Sequence, residues 1–290
     1  MSLDSNDFEN WATYRNAAVE IVKEAGRRLS SEACSFEETR QFQQKTNEAD
    51  LVSAADVSVQ NFIFERLSER FPEHFLFGEE STTVTSESWR QLLDREYVWV
   101  LDPVDGTTNW IHNFPSVCIS LALVVKGSPQ VAVVYDVYRK RLFHACRGGG
   151  AFCDDKKLQV SSAYRLKEAL VVTEFGYVRD ENGLKNIFRV LHKLLLYGVH
   201  GIRQTGSGVL DLCLLASGQV DALYAGVGGE GWKPWDYAAG YLIVKEAGGA
   251  IYSLDSDDFD LCSPSIVGAN SSHLATELRK VILEAKNTNV

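Results

Sequence analysis

The chain has 290 residues, 45% of them hydrophobic, enough for one large α/β domain or two fused halves with sizeable cores. A formal net charge of −10, with no basic run longer than Arg139–Arg141, argues against a general nucleic-acid binder. The longest apolar run, Val117–Val125, is too short to cross a bilayer, so no membrane partner is expected.

The first predicted element is an amphipathic helix, with Phe8, Trp11, Tyr14, Ala18, Ile21, Val22, Ala25 and Leu29 on one stripe. Its acidic start shows neither the basic nor the apolar region of a secretory signal. A polar stretch from Ser30 to Asn47 reads mostly as loop. Ser53–Asp56, "SAAD", resembles a capping box and opens a helix that ends before Pro72. Strands follow at Tyr97–Leu101, Val117–Val125, Val131–Tyr135 and Arg141–Ala145, with spacers short enough for antiparallel hairpins. The second half alternates. Strands are expected at Leu170–Glu174, "VHGIR", "DALY", "GAIYSL" and "SIVGAN", and helices at Asn182–Tyr197, Ser207–Ala216, Asp236–Ala247 and Ser272–Lys286. An α+β half (1–161) would thus precede an α/β half (162–290), the two packed as layers. The six scattered cysteines form no CxxC pair and fit a reducing, cytoplasmic setting.

The chemistry concentrates in "WVLDPVDGTTNW", Trp99–Trp110. Pro103 holds Asp102 extended and ends the strand ladder, so two carboxylates three apart can aim into one crevice. Gly106 permits a close approach or an unusual dihedral, and Thr107, Thr108 and Asn109 can cap a helix start that faces an anion. Without more, this is also an ordinary Asp-Pro turn with an N-cap. Three further acids recur in suggestive places: Glu79 and Glu80 in "FGEES", and Asp236 at a helix start, where its plain reading is an N-cap. Ser207, between Gly206 and Gly208, marks another helix start with free amides. Lys45 alone reads as a surface lysine. Converged carboxylates repel unless cations neutralise them, and an oxygen-only set suits Mg²⁺ or Mn²⁺ rather than zinc. The six histidines are isolated, and no Ser-His-Asp or Cys-His constellation stands out.

"GEES", "WVLDPVDGTTNWIHNFP", "HGIRQTGSGVLDL" and "WDYAAG…VKEAGG" resemble, in order and spacing, the motifs of the inositol monophosphatase family, and the likeness runs over nearly the whole chain. The resemblance implies a layered α-β-α-β-α sandwich, with an antiparallel-rich first sheet and a mixed second one. It implies a homodimer that hydrolyses a phosphate monoester of a small polyol, classically myo-inositol phosphate, with two or three Mg²⁺ and inhibition by Li⁺. By motif position, Glu79, Asp102 and the Val104 carbonyl would hold one metal, and Asp102, Asp105 and Asp236 a second. Asp56 and Glu80 would support a third metal or its waters. Glu79 and Thr107 would orient the attacking water, and the Gly106 and Thr107 amides would seat the phosphate. Gly206, Ser207 and Gly208 match the inositol-contacting helix start, and Lys45 a lysine near the site.

One departure bears on the substrate. Ala225 stands where inositol-phosphate enzymes of the family carry a glutamate, and the loop to Asp236 is longer, with Glu230 as the candidate to reach in instead. The alternatives are therefore a relative acting on histidinol phosphate, a nucleotide bisphosphate or fructose 1,6-bisphosphate, or a non-catalytic metal-binding relative.

Overall fold

The computed structural model describes residues 5–33, 42–45, 51–81 and 86–287. Helix α1 (Ser5–Ala33) reaches past the expected boundary at Ser30, and the short hairpin β1 (Phe42–Gln44) and β2 (Leu51–Ser53) flanks the rest of that polar stretch. Residues 34–41 and 46–50, where most of a loop was expected, lie outside the described residues, as does Cys34. Helix α2 (Ala54–Arg70) opens on the anticipated capping box: Ser53 Oγ accepts from the Ala55 amide, and the Asp56 carboxylate accepts from the Ser53 amide.

The larger sheet runs in the order β3 (Phe75–Gly78), β4 (Val98–Asp105), β5 (Cys118–Val125), β6 (Ser128–Asp136), β7 (Arg141–Cys146), β8 (Gly150–Cys153) and β9 (Lys156–Lys157). Only β3–β4 is parallel; the other pairs are antiparallel. Helix α3 (Ser86–Leu93) lies between β3 and β4, and the five-residue α4 (Thr107–Ile111) follows β4. The second sheet orders β11 (Gly201–Arg203), β10 (Leu170–Thr173), β12 (Ala222–Ala225), β14 (Ile266–Ala269) and β13 (Ala250–Tyr252), with parallel and antiparallel pairs. Its helices are α5 (Glu181–Tyr197), α6 (Gly208–Ala216), α7 (Pro234–Glu246) and α8 (Ser272–Asn287).

Three cores give the layers. Alternate residues of β4 and β5 divide between two of them: Trp99, Leu101, Ile119, Leu121 and Leu123 pack with α1 and α2. Val98, Val100, Cys118, Ala122 and Val124 face α6 and α7, and the same core continues to Leu223 and Ile266 of the second sheet. The far face of that sheet packs on Ile187, Val190 and Leu194 of α5 and Leu274, Leu278 and Ile282 of α8. The result is an α-β-α-β-α sandwich. Strands covered on both faces read as unbroken apolar runs, which is why "CISLALVV" is the plainest strand in the sequence. Helix α5 shows ordinary end signals: Asp180 caps Gly183, and Gly198 closes the helix at φ +91°. Among the described residues no helix is long and apolar enough to cross a membrane, and Cys118, Cys146, Cys153, Cys213 and Cys262 are free thiols.

Candidate active site

The site forms where β4 ends. By alternation Asp102 belongs to the face of Val98 and Val100, towards α6 and α7. Asp105 would point the other way, but the register shifts between Asp102, opposite Ser120, and Asp105, opposite Cys118. Three steps on β4 match two on β5, and this bulge turns Asp105 to the same face. Pro103 sits inside the irregularity, where its missing N–H is tolerated. Helix α7 brings Asp236 from the opposite layer. One oxygen of each of Asp102, Asp105 and Asp236 lies within 4.8 Å of the others.

Each carboxylate is locally braced. Asp102 Oδ1 accepts from the Val104 amide at 3.1 Å. Asp105 Oδ2 accepts from the Ser207 hydroxyl, the Val209 amide at 3.0 Å and the Cys118 thiol at 3.5 Å. Asp236 accepts from the Lys233 amide, which places it at the third position of α7. This corrects the N-cap expectation, since Lys233 is the capping position and Pro234 opens the helix. Glu79 and Glu80 form a single 3-10 turn after β3, and Lys45 Nζ bridges them at 2.8 and 2.6 Å. Lys45 is therefore not a plain surface lysine.

The Gly-Thr-Thr-Asn run does something more specific than offering hydroxyls. Gly106 is the left-handed N-cap of α4 at φ +87°, and a Cβ there would sit 2.7 Å from the Ser116 carbonyl. The Thr107 hydroxyl turns inward, within 3.2 Å of Asp56 Oδ1 and 3.1 Å of the Val104 carbonyl. Asn109 Nδ2 donates to the carbonyls of Ser116 and Thr205, both at 2.8 Å. The side chains hold the turn, and the first-turn amides of α4 are what remain for an anion. Gly206 and Gly208 flank Ser207, the N-cap of α6, whose hydroxyl serves Asp105 instead of its own helix.

Electrostatics mark the cluster as built for cations. Burial, then repulsion from Glu79, Asp105 and Asp236, pushes Asp102 well above the ordinary carboxylate range. Burial and Asp105 push Asp236 up to about 7. Burial raises Glu79 to about 8 against the pull of Lys45, and raises Asp56 to about 6. Asp105 is raised by burial despite the bond from Ser207 and its other donors. The Lys45 ammonium is held up because Glu79 and Glu80 outweigh its burial. Oxygen-only donors converging at this spacing fit a hard divalent cation, and the raised carboxyls show what it would relieve.

Ala225 ends β12 and is buried. Glu230 does not reach into the cluster in its place. Its Oε1 accepts from the amides of Gly226 and Val227, and its Oε2 from that of Gly228, at 2.7, 2.9 and 2.6 Å. Sequence reasoning missed two buried acids, Glu174 and Asp211, which lie behind the Thr205–Gly206 turn. Glu174 had a usable signal: it directly follows an apolar strand, where ligand crevices of α/β sheets form. Asp211, inside an apolar helix, had only its oddity.

The sequence model of the inositol monophosphatase family matches residues 10–286. The chain belongs to the inositol monophosphatase family. It is 38% identical to inositol monophosphatase 1 of Solanum lycopersicum over 258 residues, covering 89% of this chain and 90% of that protein. It is 34% identical to human inositol monophosphatase 1, covering 94% and 95%. In structure it resembles the extragenic suppressor protein suhB of Bartonella henselae, with TM-score 0.81 and 29% identity over 93% of this chain and 98% of that one. Family membership makes the chain a metal-dependent phosphatase, an inositol-phosphate type of phosphoric monoester hydrolase.

Proposed function

We propose that the protein hydrolyses myo-inositol monophosphate to myo-inositol and phosphate, with Mg²⁺ as its physiological metal and Li⁺ as an inhibitor. The convergence of Asp102, Asp105 and Asp236 carries this reading, together with the names of the relatives at 34–38% identity. Glu79, Asp102 and the Val104 carbonyl hold one ion, and Asp102, Asp105 and Asp236 a second; Asp56 and Glu80 support a third or its waters. When bound, divalent ions acidify a water and stabilise the attacking and leaving oxygens of an in-line displacement. Glu79 and Thr107 orient the attacking water by accepting hydrogen bonds from it, the Thr107 hydroxyl being itself turned by its own donation to Asp56 and the Val104 carbonyl. The Gly106 and Thr107 amides seat the phosphate. Gly206, Ser207 and Gly208 meet the alcohol beside Asp236. Lys45, paired to Glu79 and Glu80, keeps a positive charge beside the entering dianion. Half 1–161 thus supplies most metal ligands and the phosphate seat, and half 162–290 supplies Asp236 and the substrate contacts to the alcohol. The same reading makes the working form a cytoplasmic homodimer.

The alcohol is where the sequence departs from the family. Ala225 offers no hydroxyl-binding carboxylate, and Glu230 is spent on its own loop. Selectivity for inositol should accordingly be modest. Phosphate release from a panel of monoesters with Mg²⁺ tests the reading. Inositol 1-phosphate ranking far below histidinol phosphate, a nucleotide bisphosphate or fructose 1,6-bisphosphate would overturn it.

A further inference from the structure

The turn Thr205–Gly206–Ser207 is shaped by buried groups that the chemistry above does not use. Glu174 lies just past β10 and is buried, and its Oε1 accepts from the amides of Thr205 and Gly206 at 2.7 and 2.9 Å. Asp211, one turn into α6 and also buried, accepts the Thr205 hydroxyl on Oδ1 at 2.7 Å. The second Asp211 oxygen, Oδ2, is buried and meets no N–H or O–H donor among the described residues. Asp211 instead shares a side-chain hydrogen bond with the Glu174 carboxyl. Two carboxyls can share a hydrogen bond only if one of them carries a proton. Burial raises both groups, so the pair retains that proton between them.

This pair is one link from the metal cluster. The turn it holds delivers the Ser207 hydroxyl and the Val209 amide to Asp105 Oδ2. From the other side, Asn109 of α4 donates to the Thr205 carbonyl. We propose that Glu174 and Asp211, sharing a single proton, are positioning residues that fix the Thr205–Gly206 turn and thereby set Ser207 against Asp105. The pair carries one negative charge, and what it needs is one N–H or O–H between the two side chains. Its effect on turnover rests on the proposed role of Gly206, Ser207 and Gly208 in meeting the substrate alcohol.

The design makes an unusual demand on substitutions. Asp211→Asn supplies a permanent N–H to Glu174 and still accepts from Thr205. Glu174→Gln supplies the N–H from the other side and still accepts from the two amides. Each single change should leave kcat/KM for inositol 1-phosphate within about threefold of wild type. The double variant Glu174→Gln/Asp211→Asn sets two amide N–H groups against each other and should fall at least tenfold below the product of the singles. Most of that loss should appear as a raised KM. Amide exchange in metal-free protein gives a readout independent of activity: Thr205 and Gly206 should be protected in wild type and both singles, and exchange at least tenfold faster in the double variant and in Glu174→Ala. Asp211→Asn exchanging as fast as Glu174→Ala, or a double variant as protected as wild type, would overturn the proposal. A wild-type enzyme inactive on inositol 1-phosphate but showing the exchange pattern would instead refute the substrate reading.

Discussion

The metal-free protein should lose stability as pH rises from about 4 to 8, and divalent metal should reverse that loss. The argument starts from Asp236, raised to about 7, and Glu79, raised to about 8. In the unfolded chain both titrate near 4. At pH values between those limits the unfolded chain has released protons that the folded one retains, so stability falls with pH. Well below pH 4 both states are protonated and no penalty exists; the Asp236 share is nearly complete by about pH 8, and the Glu79 share about one pH unit higher. One pKa unit corresponds to ~1.4 kcal/mol, so Asp236 alone gives about 4 kcal/mol over its whole titration, and about 3 kcal/mol for the rise from pH 5 to 8, which spans roughly two of its three units. For a chain of this size that is a fall of roughly 6 °C in Tm. Bound metal keeps the carboxylates ionised in the folded state and binds the unfolded chain poorly. The assay is differential scanning calorimetry in EDTA and in 5 mM Mg²⁺, at half-unit pH steps, for wild type and Asp236→Asn. Wild type should lose Tm with pH in EDTA, and the Mg²⁺ increment should widen towards pH 8. Asp236→Asn should show a flatter EDTA curve and a smaller increment. An EDTA curve as flat in wild type as in Asp236→Asn, or an increment equal at pH 5.5 and 8, would refute the electrostatic account.

Asp105→Asn should fold normally and lose at least ~100-fold in kcat, beyond the range typical of groups that only support metal ligands; phosphate release against calorimetric metal binding checks both halves. Gly106→Ala forces a left-handed φ of +87° and a Cβ 2.7 Å from the Ser116 carbonyl, so about 3 kcal/mol of stability and most activity should go together, read by urea unfolding. Glu230→Ala removes a carboxylate that accepts three amides and should cost about 2 kcal/mol by the same measurement. Because Glu230 faces its own loop, KM for inositol 1-phosphate should change less than threefold; a tenfold rise would place it at the substrate after all.

Much of the frame is legible locally. The capping box at Ser53–Asp56, the buried runs of β4, β5 and β6, the stripe of α5 and its closing Gly198 all depend on neighbours within a few positions. The pieces least visible were β1, β2, β3, α3 and α4. They are three to eight residues long and too short for a period to declare itself.

By itself, the sequence determined that two aspartates flank Pro103 at a strand end, with Gly106 free to turn the chain. It also determined which motifs the chain shares with its family. Only the tertiary structure decided where those side chains point. The bulge at Asp102–Asp105 depends on pairing with β5, Asp236 arrives from the opposite layer, and Ser207 reaches Asp105 across 102 positions of sequence. It likewise decided that Glu230 turns back on its loop while Glu174 and Asp211 brace the turn beneath Ser207. Hydrophobic period and turn chemistry act between near neighbours and leave a record in sequence. The convergence of carboxylates is fixed by packing between layers, where residues far apart meet only once the sandwich closes.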